Sequence, residues 1–204
     1  MKQKYILFSI IFLGFILLDC AGTQQDSIAK TQNVEFLIEQ GELFWQQRSD
    51  SLTLKKAEHF ISLACQQRPD QFDIAILYAQ ILYTRGLFFE KDGETQNSLF
   101  LQASQLCQDA VLNHQDFSVI YNNAQGDSTF KMLTAIADVP ISVVPGLFWW
   151  ATNLARYLNT RPVIERLNHR EILEVLMHRI LSLEPGFFYS GPYRFFGSFY
   201  TRIP

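Results

Sequence analysis

The side chains best suited to catalysis or metal binding are sparse and irregularly spaced along this chain. Its four histidines, at positions 59, 114, 169 and 178, form no HExxH pair, and its three cysteines form no CxxC pair. Those are the spacings at which one helix or loop presents two ligands to a zinc ion. No serine lies on a nucleophile elbow, and the chain has no glycine-rich phosphate loop. We therefore predict a protein without catalytic residues, metal or cofactor, and not an enzyme.

Cys20 is the residue to which the sequence assigns a chemical role, as the acceptor of a thioether-linked lipid. Lys2 and Lys4 give a positively charged start, and residues 5–18 form an apolar run that only Ser9 interrupts. That run is shorter than the roughly 20 residues a spanning helix needs, so residues 1–19 are typical of an export signal. The stretch around Cys20, Leu-Leu-Asp-Cys-Ala-Gly, resembles the lipobox of bacterial lipoproteins, although Asp19 stands where a small residue is usual. The alternative is an uncleaved signal anchor.

The segment after Cys20 bears on where the protein is held. Residues 20–32 are mostly polar and show no apolar face, so we predict a flexible tether. Ala21 carries no acidic inner-membrane retention signal, which favours the periplasmic face of the outer membrane. The net charge of −3 and the scattered arginines provide no basic stripe for a phosphate backbone. We therefore predict no nucleic-acid partner.

A spacing of small and large residues organises the rest of the chain. Ala57, Ile61 and Ala64 share one helix face, because residues three and four apart are neighbours on a helix. Pro69 marks the end of that helix. This is the second-helix half of a tetratricopeptide repeat. It recurs at Ala103, Cys107 and Ala110, and with bulkier residues at Leu173, Met177 and Ile180. We predict an all-α solenoid of degenerate helical pairs, roughly eight helices, over residues 33–204.

Several local expectations follow from that register. Gly41 should allow a close crossing in the first helix, at residues 34–48, and Ser51 or Thr53 should cap the second helix. The insertion at residues 85–96 should turn at Asp92-Gly93. The turn-rich residues 121–127 should interrupt the helical pattern. Residues 163–184 should form one long helix.

Cys65 and Cys107 lie in second helices of adjacent repeats, near the position of the large residue. Both should face neighbouring helices. Two interpretations are open: buried free thiols that act as small apolar side chains, or a disulfide between repeats if the two Cα atoms approach within about 7 Å.

The C-terminal third carries far more aromatic side chains than one helical contact can bury. They cluster at residues 148–157 and 187–200. An apolar pocket with a few polar groups is the usual form of a small-molecule site. We therefore predict a hydrophobic ligand site that includes Phe148, Trp150, Tyr157, Arg194 and Phe195, with Arg156 and Arg194 available to an anion at its mouth.

The order of these features resembles a known family. The lipoprotein-type signal is followed by helical pairs, by Asp-Val-Pro at 138–140, and by Gly-Pro-Tyr-Arg-Phe-Phe-Gly at 191–197. This is similar to the T component of tripartite ATP-independent periplasmic (TRAP) transporters, a tetratricopeptide-repeat lipoprotein family. The resemblance covers about residues 20–204. It implies a non-enzymatic scaffold for the periplasmic solute-binding protein of the transporter, a homotrimer, and a channel that accepts a hydrophobic ligand.

Two other functions fit the helical pattern without the resemblance. One is a general tetratricopeptide scaffold for outer-membrane or cell-wall assembly, and the other is a stand-alone carrier of small hydrophobic molecules. The aromatic helix at 193–200 is followed by only four residues. Since a repeat buries its first helix against a second one, we expect the chain to be truncated at its C-terminus.

Overall fold

The computed structural model describes residues 33–202, and every regular element in that range is helical. The prediction of an all-α fold is confirmed, with ten α-helices and a short 3-10 helix (Ile141–Val143) in this range. The predicted export signal, the lipid acceptor Cys20 and the tether lie outside the described residues. Helix α1 covers residues 33–46, followed by α2 (Ser51–Gln67), α3 (Phe72–Phe88), α4 (Gly93–Asn113), α5 (Gln115–Asn123), α6 (Ser128–Asp138), α7 (Val144–Leu158), α8 (Val163–Asn168), α9 (Arg170–Leu183) and α10 (Phe187–Arg202).

The first helical pair packs through the small residues that the spacing identifies. Ala57, Ile61 and Ala64 of α2 are completely buried. A Cβ atom at Gly41 of α1 would overlap the Ile61 side chain, so the glycine lets α1 lie directly on α2. The predicted cap is wrong. Asp50 caps α2, because its carboxylate accepts a hydrogen bond from the backbone N–H of residue 53 at 2.9 Å.

Helix α3 is buried on two sides and joins the two parts of the core. Ile74 and Ile81 pack with α1 and α2, whereas Ala79 and Leu82 pack with the helices that follow. A helix with apolar residues all round is expected in such an internal position. It packs against α2 on one side and against α4 and α7 on the other. Helices α2, α3 and α4 therefore stack in a row, as in a solenoid.

The insertion at residues 85–96 lengthens two helices instead of forming a loop. Helix α3 continues to Phe88, and α4 begins at Gly93 after a short connection. Asp92 caps α4, with its carboxylate accepting from the backbone N–H and the hydroxyl of Thr95 at 2.8 and 2.6 Å. These bonds favour the ionised carboxylate and hold the pKa of Asp92 below its usual value. The predicted turn at Asp92-Gly93 thus becomes the start of a helix.

Helices α4, α7 and α9 form the centre of the larger core. A Cβ atom at Gly146 would lie 2.6 Å from Val111 Cγ2 and 2.8 Å from Phe72 Cε2, so α7 crosses α4 and α3 closely. On its other side α7 packs against α9, whose buried face carries Leu173, Met177 and Ile180. This is the face that the third copy of the repeat spacing predicts.

The two breaks in the C-terminal half differ in how well the sequence indicates them. The turn-rich residues 121–127 do interrupt the pattern, between α5 and α6, although α5 continues through Asn123. The prediction of one helix over residues 163–184 is wrong, because the chain leaves helical geometry at His169. The Nδ1 atom of the His169 ring lies 2.8 Å from the carbonyl oxygen of Glu165 in α8. This contact occupies a carbonyl group that a continuing helix would use for a backbone hydrogen bond. None of the residues of α8 is buried, so no core contact keeps it in line with α9.

The thiols of Cys65 and Cys107 are free, which excludes the disulfide interpretation. Cys107 is fully buried and Cys65 is partly buried. Burial disfavours the thiolate and raises the pKa of both thiols.

We expect a water-soluble maleimide at pH 7.5 to label Cys65 slowly and Cys107 only on unfolding. The reason is that the thiolate is the reactive form and is scarce at both positions. Mass spectrometry of the two cysteine peptides, with and without urea, measures this. Fast labelling of Cys107 in the folded protein would contradict the burial described here.

Within residues 33–202 no single helix is long and apolar enough to cross a bilayer. Helix α6 together with residues Ile141–Leu158 meets the length and composition criteria only as a pair, and the two parts are bent by 103°.

Candidate functional site

A cavity of about 250 Å³ lies between α7 and α10, and Tyr83 of α3 forms part of its wall. Six of its thirteen lining residues are aromatic. Within residues 33–202, no histidine, cysteine or carboxylate lines it. The lining residues are Tyr83, Phe148, Trp149, Thr152, Ala155, Arg156, Asn159, Phe188, Gly191, Arg194, Phe195, Ser198 and Phe199.

Helix α7 provides one wall because its lining residues fall on a single helical stripe. Phe148, Thr152, Ala155 and Asn159 are spaced by three or four residues and therefore share one face. The opposite faces of α7 are held in the core by α4 and α9. The rotation of α7 about its axis is thus set by packing, and this rotation directs the stripe towards α10.

Helix α10 provides the opposite wall and packs tightly against Phe148 of α7 at Gly191. A Cβ atom at Gly191 would overlap the ring of Phe148, so only glycine permits this contact. Beyond it, Phe195 and Phe199 line the cavity, and their rings stack with centroids 5.2 Å apart. Phe199 is buried, which anchors the second half of α10 to the core.

Three aromatic contacts connect the two walls at the Phe148 end of the cavity, and two more link Trp149 to Phe148 and to Tyr83 of α3. The ring of Phe188 lies 5.4 Å from that of Phe148 and 5.0 Å from that of Trp149. Trp149 in turn contacts Tyr83 at 5.4 Å and Phe148 at 5.4 Å, and Phe187 lies 5.3 Å from Phe148. Most of these pairs meet edge to face, the favoured arrangement for aromatic rings.

Both arginines of the lining have neutral partners. Arg156 Nη2 lies 3.4 Å from the hydroxyl oxygen of Tyr83, and its guanidinium carbon is 5.9 Å from the centre of that ring. Arg194 donates to the backbone carbonyl oxygens of Phe188, at 3.0 Å, and Tyr189. Among the residues that the structure describes, no carboxylate lines the cavity, so no described lining residue neutralises either charge.

Three of the five sequence-predicted ligand residues lie at this cavity and two do not. Phe148, Arg194 and Phe195 line it. Trp150 is buried in the core on another side of α7, and Tyr157 is partly buried away from the cavity. Ligand contact by any of the five stays a prediction.

Trp149 and Phe188 belong to the predicted aromatic clusters but are not among the five predicted ligand residues, although both line the cavity and their rings are in contact. Trp149 does have a sequence signal. The helical stripe that begins with Phe148 and Thr152 continues to Ala155, Arg156 and Asn159, and Trp149 lies beside this stripe. Neither the contribution of Tyr83 nor the position of Phe188 has such a signal, because both depend on how distant parts of the chain pack.

Comparison with known proteins gives one family match. The model of the family described as TRAP transporter T-component matches residues 89–204, which include every lining residue of the cavity except Tyr83. No curated protein matches the chain. The match covers more than half of the chain, and it agrees with the resemblance seen in the sequence. The chain therefore belongs to the T-component family of TRAP transporters and is an accessory component of such a system.

Proposed function

We propose that this protein is a non-enzymatic scaffold that holds the periplasmic solute-binding protein of a TRAP transporter and binds a hydrophobic ligand in the α7–α10 cavity. The observation that supports it most directly is the cavity itself, because its walls are formed almost entirely within the family-matched residues 89–204. Its lining of aromatic rings with a few polar groups is the usual composition of a small-molecule site.

The size of the cavity limits the ligand. Its volume of about 250 Å³ is below the range of ~300–1,000 Å³ typical of drug-sized sites. It exceeds the ~150 Å³ of an apolar cavity that accepts benzene. A single ring or a medium-length alkyl chain therefore fits, whereas a complete two-chain lipid does not.

In this proposal the protein is tethered in the periplasm, with the outer membrane favoured, by lipid on Cys20. Burial of acyl chains contributes about 0.8 kcal/mol per methylene, and more than one chain is needed for stable anchoring.

The assembled form is a homotrimer, as the family resemblance implies. Light scattering of the purified protein measures the mass of the assembly.

We expect the tagged protein, cross-linked in native envelopes, to recover a periplasmic solute-binding protein. The Cys20→Ser variant should fail to incorporate a palmitate analogue and leave the membrane fraction, since the thiol is the proposed acceptor. Immunoblotting of fractions and mass spectrometry of the cross-linked partners measure both effects.

The partners recovered separate the alternatives. Recovery of outer-membrane or cell-wall assembly proteins alone would favour a general envelope scaffold. A ligand-loaded protein with no partner would favour a stand-alone carrier. Palmitate label retained in the Cys20→Ser variant would contradict the proposed anchor, without bearing on the cavity.

A further inference from the structure

The start of α10 contains an unusual backbone segment. Phe188, Tyr189 and Ser190 have φ angles of 43°, 58° and 57°, so three consecutive residues other than glycine are left-handed. In this conformation the Cβ atom of an L-residue lies too close to the following carbonyl oxygen. Such residues persist only where the surrounding structure holds them, and they are concentrated at ligand clamps and switch segments.

Two sets of contacts hold this segment in place. The guanidinium of Arg194 reaches back to the carbonyl oxygens of Phe188 and Tyr189, and a planar fork of donors suits two adjacent acceptors. The ring of Phe188 also packs against Phe148 and Trp149, at 5.4 and 5.0 Å. Arg194 therefore acts on the cavity through the backbone that positions Phe188.

The segment has room to move outwards and a fixed point beyond it. Tyr189 is 84% exposed, and a Cβ atom at Gly186 would meet no other atom within 4 Å. Gly191, in contrast, is packed directly against Phe148. Residues 187–190 thus connect a loosely packed glycine to a tightly packed one.

Phe188 lies between the rings of the cavity and the solvent. It lines the cavity and is itself 43% exposed, whereas Phe148 and Trp149 behind it are 4% and 5% exposed. An outward movement of Phe188 would expose both of these rings. The same movement would relieve the strain of the left-handed backbone, but it would break the Arg194 hydrogen bonds and the ring contacts. Backbone strain therefore favours the outward position of Phe188, whereas these contacts favour the inward one.

From these observations we propose that residues 187–190 form a gate over the Phe148 end of the cavity, and that Arg194 is the positioning residue that holds the gate closed. This proposal rests on the proposed function, because the gate controls access to the ligand cavity. Arg194 then has a different role from the ligand contact that the sequence predicts. Arg156, whose only described partner is Tyr83, remains as the cation facing a ligand.

The test is hydroxyl-radical footprinting of the full chain in isolated envelopes, with oxidation of Trp149 and Trp150 resolved by mass spectrometry. Trp149 lies behind the gate, whereas Trp150 is equally buried but does not line the cavity. Arg194→Ala should raise the oxidation rate of Trp149 by about tenfold and leave Trp150 unchanged, because the lost bonds are charge-assisted. Arg194→Lys should give an intermediate rate.

A second variant should stabilise the closed gate, whereas Arg194→Ala should destabilise it. Ser190→Gly should lower the oxidation rate of Trp149 by about two- to fivefold, because glycine adopts the left-handed conformation without steric cost. Arg48→Ala is the matched control, since Arg48 also donates to a backbone carbonyl, that of Trp45, on the surface of the N-terminal pair. It should change neither rate.

The outcomes separate the gate from the ligand site. An unchanged Trp149 rate in Arg194→Ala, or an equal rise at Trp149 and Trp150, would overturn the gate. A faster Trp149 rate in Ser190→Gly would do the same. Saturating 1-octanol should protect Trp149 in Arg194→Ala. Failure of that protection, with the variant rates as expected, would overturn the ligand site and leave the gate supported.

Discussion

Replacing Trp150 by alanine should lower the free energy of unfolding by about 3–5 kcal/mol without weakening the binding of a hydrophobic ligand. Trp150 is only 3% exposed and belongs to the main core, so the truncation removes a large apolar surface and leaves a void. Since small domains are stable by about 5–15 kcal/mol in total, the change is a large fraction of the whole. Urea unfolding measures it, through the midpoint at unchanged slope.

Trp149→Ala is the matched control for that experiment. Trp149 is adjacent in sequence and equally buried, yet its ring faces the cavity. Both variants should lose stability, whereas only Trp149→Ala should weaken the binding of 1-octanol measured by titration calorimetry. If Trp150→Ala weakened binding as much as Trp149→Ala while the protein stayed folded, Trp150 would belong to the ligand site after all.

The second large effect concerns the contact between α1 and α2. Ile61→Ala should cost about 2–5 kcal/mol, since Ile61 is completely buried. Gly41→Ala should cost about 1–3 kcal/mol, because the added methyl overlaps the Ile61 side chain. In the double variant the methyl group occupies space that Ile61 has left, so the total cost should be smaller than the sum.

A double-mutant cycle measures this coupling. We expect an interaction free energy of about 0.5–3 kcal/mol in favour of the double variant, the range found for residues in contact. The pair Gly41→Ala with Met177→Ala provides the control, because Met177 is equally buried but lies in the other core cluster. Additive costs for Gly41 and Ile61 would contradict the close crossing of α1 and α2.

Helical periodicity determined the parts of this fold that depend on neighbours along one helix. Ala57, Ile61 and Ala64 lie on one face because residues three and four apart are adjacent in any α-helix, whatever the helix packs against. For the same reason the bulkier copy at Leu173, Met177 and Ile180 identified the buried face of α9. The end of α2 at Gln67, just before Pro69, is equally local, since proline cannot continue a helix.

Local signals did not determine where some helices divide or extend. The sequence between residues 163 and 184 has no proline or glycine, yet the helix divides at His169 because α8 packs no residue into the core. Conversely, the insertion after Thr84 was absorbed into longer helices, since Asp92 supplies a cap for α4. In both cases the deciding contribution comes from packing or from a single capping bond, which composition does not reveal.

The composition of residues 148–200 indicated an aromatic site, but the tertiary structure decided which rings form it. Trp149 and Trp150 differ by one position, about 100° around the helix, and only the packing of α7 against α4 and α9 determines which of them faces the cavity. The left-handed turn at Phe188 is still less predictable, because no residue in it favours that conformation. Arg194 holds it from within α10, whereas the rings of Phe148 and Trp149 can hold it only once α10 lies beside α7.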